Sequence, residues 1–159
     1  MAKELTTSAQ KVQDALTARG LTCLVVELPD STRTAEEAAV AVGCKVGQIV
    51  KSLVFRGKLT GQPILVLASG PNRVNEIRIG ELVSEPIEKA NADFVRKKTG
   101  FVIGGVPPIG HMEALPTYID EDLLQYQDVW AAAGTPKAVF KIYSSDLKRA
   151  TGGTVVSIK

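Results

Sequence analysis

The chain has 159 residues, 45% of them hydrophobic and 23% charged, and a formal charge of +2. At this length about 70% of the unfolded surface is buried on folding, enough for one domain over 1–159 with its own core. The small positive charge excludes a general DNA coater but suits contact with a few phosphates, and no apolar run reaches membrane-spanning length.

The two cysteines, Cys23 and Cys44, are far apart, and His111 is the only histidine. That set does not make a protein-built zinc site, and no cofactor is expected. The first residues, Met1 to Leu5, lack the apolar core of a signal peptide, so the expected location is the cytoplasm.

In chain order, Ser8–Arg19 places Val12, Ala15, Leu16 and Ala18 at helical spacing, with Gly20 as its stop. Leu21–Leu28 is apolar, rich in β-branched residues and ends at Pro29, which predicts a strand. Asp30–Thr32 reads as a turn. Thr34 and Glu37 have the spacing of a capping box for a helix over Ala35–Val42, stopped by Gly43. Gly47–Arg56 reads as a helical turn entering a strand, or as one long strand. Its Lys51 lies between Ile49-Val50 and Leu53–Phe55. A lysine there either snorkels to water or points into a cleft, and both readings stay open.

Pro63–Ser69 predicts a second buried strand, paired with Ile49–Phe55 as an antiparallel hairpin. Gly70–Arg73 leaves the sheet, Asn75 caps a helix to about Leu82, and Glu85-Pro86 begins another segment. Asn91–Lys98 reads as a short helix whose last turn carries Arg96, Lys97 and Lys98. Basic residues there serve the helix dipole and solubility, or alternatively meet a phosphate. Leu115–Asp120, Asp128–Ala133, Ala138–Tyr143 and Thr154–Ile158 predict further strands, with a helix over Ser144–Ala150. Many connections are too short for βαβ crossovers, which gives a mixed α/β fold of the α+β type. The expected sheet is largely antiparallel and curls toward a barrel, with short helices around it.

The segment Gly100–Asp120 is the most informative. Phe101–Ile103 predicts a buried strand, followed by Gly104-Gly105, Pro107-Pro108 and Gly110-His111. Glycines admit unusual backbone angles and prolines stiffen the chain. The loop is either a tight connection or a preformed cradle whose N–H groups meet an anion or oxyanion. His111 can contact substrate or brace the loop through a carbonyl.

Three segments together carry a resemblance: Gln48-Ile-Val-Lys-Ser-Leu-Val54, Gly104-Gly-Val-Pro-Pro108 and Leu115-Pro-Thr-Tyr-Ile-Asp120. In this order they resemble the YbaK family, freestanding proteins similar to the editing insertion domain of bacterial prolyl-tRNA synthetase. The similarity runs from about Leu21 to Ile158. It implies a trans-editing aminoacyl-tRNA deacylase whose partner is the aminoacyl-tRNA acceptor end, with a synthetase as a second candidate partner. It also implies that Lys51 helps hold the substrate end and that Gly104–Pro108 supplies backbone groups around the ester. The candidate catalytic residues are Lys51, Gly104 and Gly105. The candidate substrate-binding residues are Ser52, Arg73, Val106, Pro107, Pro108, His111, Asp120, Ala132, Ala133 and Gly134.

The chain departs from the cysteinyl-tRNA deacylase branch of that family. Ala131–Gly134 holds alanines where the branch has a serine and a second glycine, and Pro107 and His111 replace a serine and a glutamine. The departures imply another small amino acid, with tRNA for proline as the carrier. A non-catalytic aminoacyl-tRNA or nucleotide-binding module, or a regulatory partner of a synthetase, is the alternative.

Overall fold

The computed structural model describes residues 4–32 and 34–159. Residues 1–3, part of the start read above for a leader sequence, lie outside the described residues. Helix α1 spans Thr7–Ala18 and buries Ala9, Val12 and Leu16 as one stripe. The helices α2 (Ala35–Val42), α3 (Glu76–Val83) and α4 (Ala92–Thr99) are each capped by a side chain. Thr34, Asn75 and Asn91 accept from the backbone N–H of Glu37, Arg78 and Phe94, which satisfies donors that a helix start leaves free. Helix α5 spans Ser144–Thr151.

The strands are β1 (Val26–Glu27), β2 (Ile49–Gly57), β3 (Pro63–Ser69), β4 (Ile87–Lys89), β5 (Thr117–Asp120), β6 (Asp128–Ala132), β7 (Ala138–Tyr143) and β8 (Thr154–Val156). They form an eight-stranded sheet in the order β1-β7-β6-β2-β3-β5-β8, with β4 against β2 off this path. The longest pairings, β2 with β3 and β6 with β7, are antiparallel. The pairings β2–β6, β3–β5 and β5–β8 are parallel, so the sheet is mixed. A 3₁₀ turn at Val46–Gln48 leads into β2, the first of its two expected forms.

Strand β2 organises the site. One edge pairs with β3 from Val50 to Arg56. The other edge meets β6 only at Ile49 and Val50, and β4 only from Phe55 onward. Between them, among the described residues, the strand edge is open apart from the Ala90 N–H that donates to the Val54 carbonyl at 3.3 Å. Successive side chains alternate across this strand. Val50 and Val54 pack into the main core with Phe140, Leu65 and Val106. Leu53 and Phe55 pack into a second cluster with Ile64 and Ile79. Ile49 lies under α2 with Ala38 and Ala39.

Two expected strands are corrected. Of Leu21–Leu28 only Val26–Glu27 is strand. The reason lies in Gln13 of α1: its amide donates to the Cys23 carbonyl and accepts from the Val25 N–H. These bonds replace the ladder partners a longer strand would need. Phe101–Ile103 is not a strand either. The Gly105 N–H donates to the Val102 carbonyl at 3.0 Å, closing a turn with Gly104 at φ +88°. That geometry favours glycine at the third turn position. Phe101 is buried, but Val102 and Ile103 are 44% and 57% exposed.

Candidate active site

The open edge of β2 borders a cavity of about 910 Å³. Among the proposed site residues, its wall includes Lys51, Ser52, Arg73, Gly104, Val106 and Ala132. Four segments far apart in sequence therefore meet at one space: β2, the turn after β3, the glycine-proline loop and β6.

The cavity straddles β2. Lys51 shares the strand face of Leu53 and Phe55. Its Nζ donates to the Asn72 carbonyl at 2.6 Å. Burial lowers the lysine pKa, the nearby Glu36 carboxylate works against that, and Arg73 adds to the lowering. Arg73 and Lys89 line the same cavity, with Glu76 as the carboxylate on its wall. Among the described residues, three cations against one carboxylate on the wall suit an anionic ligand.

Ser52 takes the opposite face, with Val50 and Val54. Its Oγ is buried and has no hydrogen-bond partner among the described residues. Buried hydroxyls are normally paired, so an unpaired one on a cavity wall marks a place for a ligand atom or water. The N–H groups of Gly104 and Val106 also make no hydrogen bond among the described residues. Val106 is 4% exposed, which makes its free donor notable.

The remaining proposed residues lie off the cavity wall. Gly105 donates to Val102, and its carbonyl accepts from the Gly134 N–H at 2.9 Å. A Cβ at Gly105 would sit 2.7 Å from the Thr135 Cα. Gly105 thus clasps the loop to the β6–β7 turn, and its N–H is used within the loop. Gly134 has φ +95°, and a Cβ there would meet the Ser8 backbone. Ala133 is buried in the main core and bonds across the turn to Ala138. Pro107 and Pro108 are buried.

Asp120 is fully buried. Its carboxylate accepts from the N–H groups of Ser69 and Asp122 and from Asn72 Nδ2, all at 2.8–2.9 Å. It therefore fixes Asn72, whose carbonyl in turn holds Lys51. The basic triplet is in the last turn of α4 and off the cavity wall. Lys98 sits 6.0 Å and Arg56 5.5 Å from the centre of the Phe94 ring, a geometry that gives both charges a cation–π partner.

His111 Nε2 lies 2.6 Å from the Pro107 carbonyl. The acceptor is a carbonyl, so Nε2 carries the proton and donates. Burial lowers the imidazole pKa below its ordinary value of 6.5, and the nearby Arg19 charge adds to this. The Pro107 bond acts in the other direction. A lowered pKa means that the folded protein favours neutral His111. Its contribution is complete above about pH 6.5 and is lost as pH falls through the lower folded value. His111→Gln, which retains an N–H donor, should therefore flatten the fall of Tm below pH 6.5. Thermal unfolding of both proteins between pH 5 and 7.5 checks this, and parallel Tm profiles would remove His111 as the cause.

The cavity wall also includes residues the sequence reading did not single out. Trp130 is the chain's one tryptophan, and together with Ala35 and Ala38 of α2 it forms part of the wall. The signal was present in the alanine-rich face of α2, which leaves room where larger side chains would close the space. Cys23 and Cys44 are not on the wall, and burial raises both thiols. Among the described residues, no group of three or more His, Cys, Asp or Glu side chains is placed to hold a metal ion. No helix among them is long and apolar enough to cross a membrane.

Known proteins share this architecture. The chain is similar to a solved structure described as a candidate trans-editing enzyme for prolyl-tRNA synthetase. The TM-score is 0.93 at 53% identity, covering 98% of this chain and 99% of that one. It is 29% identical over 102 residues to EbsC of Enterococcus faecalis, named as a candidate Cys-tRNA(Pro)/Cys-tRNA(Cys) deacylase. That match covers 64% of this chain and 62% of the relative. It is also 33% identical over 94 residues to the proline–tRNA ligase of Limosilactobacillus fermentum, covering 57% of this chain but 16% of the ligase. The family described as the aminoacyl-tRNA editing domain matches residues 29–150, and the chain belongs to that family.

Proposed function

We propose that this protein acts in trans, in the cytoplasm, to hydrolyse the ester of a mischarged tRNA, with tRNA for proline carrying a wrong small amino acid as its substrate. The observation that carries this reading is the cavity at the open edge of β2. There Lys51, Gly104 and Val106 border one space, and the N–H groups of the last two make no hydrogen bond among the described residues. An aminoacyl ester is already activated, so the site needs oxyanion donors and a positioned water more than a strong nucleophile. The wall contains no cysteine, and His111 is bonded to Pro107.

In the proposed reaction, water attacks the ester carbonyl carbon. The carbonyl oxygen becomes an oxyanion, stabilised by the Gly104 and Val106 donors. The tetrahedral intermediate collapses, the ribose oxygen leaves and takes a proton, and the free amino acid departs. The vicinal ribose hydroxyl orients the attacking water, a role that asks for no protein base. The cationic face of the cavity, with Lys51 and Arg73, holds the acceptor end.

The test is release of free amino acid from tRNA for proline charged in turn with alanine, serine, cysteine, threonine and proline. Hydrolysis of one or more small wrong esters, with prolyl-tRNA spared, is the expected result. Binding of the charged tRNA without turnover of any ester would replace the enzyme with a holding module.

A further inference from the structure

We propose that Ser52 reads the side chain of the acyl group, and that the site selects an amino acid bearing a hydroxyl on Cβ, serine before alanine. This rests on the deacylase reading above. The observation is the buried Ser52 Oγ, which has no partner among the described residues although it borders the cavity.

The two faces of β2 divide the cavity by chemistry. Lys51 is on one face, and Arg73 interacts with its charge. Lys89 sits opposite Phe55 across the β2–β4 pairing, and cross-strand partners share a face. That half suits ribose and phosphate. The other face carries Ser52 between Val50 and Val54, and the wall there continues through Val95 and Val106, both in the main core. With the RNA end on the cationic half, the acyl side chain enters the aliphatic half. Ser52 then offers it a buried hydroxyl with no partner among the described residues.

A methyl group in that position would exclude water from the Ser52 hydroxyl and leave it unpaired. A Cβ hydroxyl would pair with it. A site that hydrogen-bonds a substrate hydroxyl discriminates strongly against the analogue lacking it, because its own polar group would be stranded. A thiol is a weaker donor and acceptor than a hydroxyl, so cysteine ranks below serine.

The experiment compares the parent protein with Ser52→Ala and Ser52→Thr on seryl- and alanyl-tRNA for proline, in single turnover. The parent should hydrolyse the seryl ester about 10-fold faster or more. Ser52→Ala should lower the seryl rate about 10-fold and raise the alanyl rate, and Ser52→Thr should restore the seryl preference. An equal loss on both esters would mean that Ser52 meets a group common to all substrates, and would overturn the proposal. A parent preference for the alanyl ester would overturn it as well. Calorimetry with non-hydrolysable 3′-amide analogues of seryl- and alanyl-adenosine separates this inference from the deacylase reading. If neither ester turns over but the seryl analogue binds more tightly, and only while Ser52 is present, the deacylase reading fails and the selectivity stands. Equal binding of the two analogues would overturn the selectivity.

Discussion

Lys51→Ala should lower deacylation by about 10²–10³-fold, the scale seen when one electrostatic contributor is removed from a preorganised site. The fold should persist, because Lys51 is only partly buried and belongs to none of the apolar clusters. Its ammonium is aimed by one short bond to the Asn72 carbonyl, and Asn72 is fixed by Asp120. The charge is therefore positioned before substrate arrives, and little ordering cost remains at the transition state. Lys51→Arg should also fall well short of the parent, since a planar fork does not reproduce a point charge at that carbonyl. Single-turnover hydrolysis and thermal unfolding on the same preparations decide the matter. An alanine variant with parental rates would leave Lys51 as a snorkelling side chain.

Gly105→Val should abolish most activity and also destabilise the protein, by about 1–3 kcal/mol or more as overpacking does. The new Cβ would lie 2.7 Å from the Thr135 Cα, 2.8 Å from its nitrogen and 2.9 Å from the Gly134 carbonyl carbon. Those are backbone atoms, which cannot rotate aside. The loop would separate from the β6–β7 turn and lose the bond from the Gly134 N–H to the Gly105 carbonyl. Gly104 and Val106, one residue to either side, would shift with it. From the sequence, this glycine reads as one of the candidate N–H donors of the loop. The structure makes it a packing clasp, so both readouts should move together. Gly105→Ala should do the same to a smaller degree. A valine variant with the parental Tm would refute the clasp.

Much of the architecture follows from local rules. Thr34 and Asn75 announce their helices because a side-chain acceptor near the first turn is a local device. The β2–β3 hairpin is legible because two apolar runs flank a glycine-containing turn. The segments around Lys51, Gly104 and Asp120 were enough to identify the editing family. Features that depend on distant partners were not legible. Gln13 ends the expected Leu21–Leu28 strand from another element, and no periodicity encodes such a bond.

Two of the helix caps, the hairpin and the family could be read along the chain, because each rests on near neighbours in sequence. Which polar groups stay unpaired depends on the assembled tertiary structure. The open stretch of β2 exists because β6 and β4 each cover one end of the same edge. The Ser52 hydroxyl stands on the cavity wall with no partner among the described residues, while the Gly105 N–H is used within its own turn. Whether a polar group is free depends on what every other element places beside it, and that is settled only when the sheet is assembled.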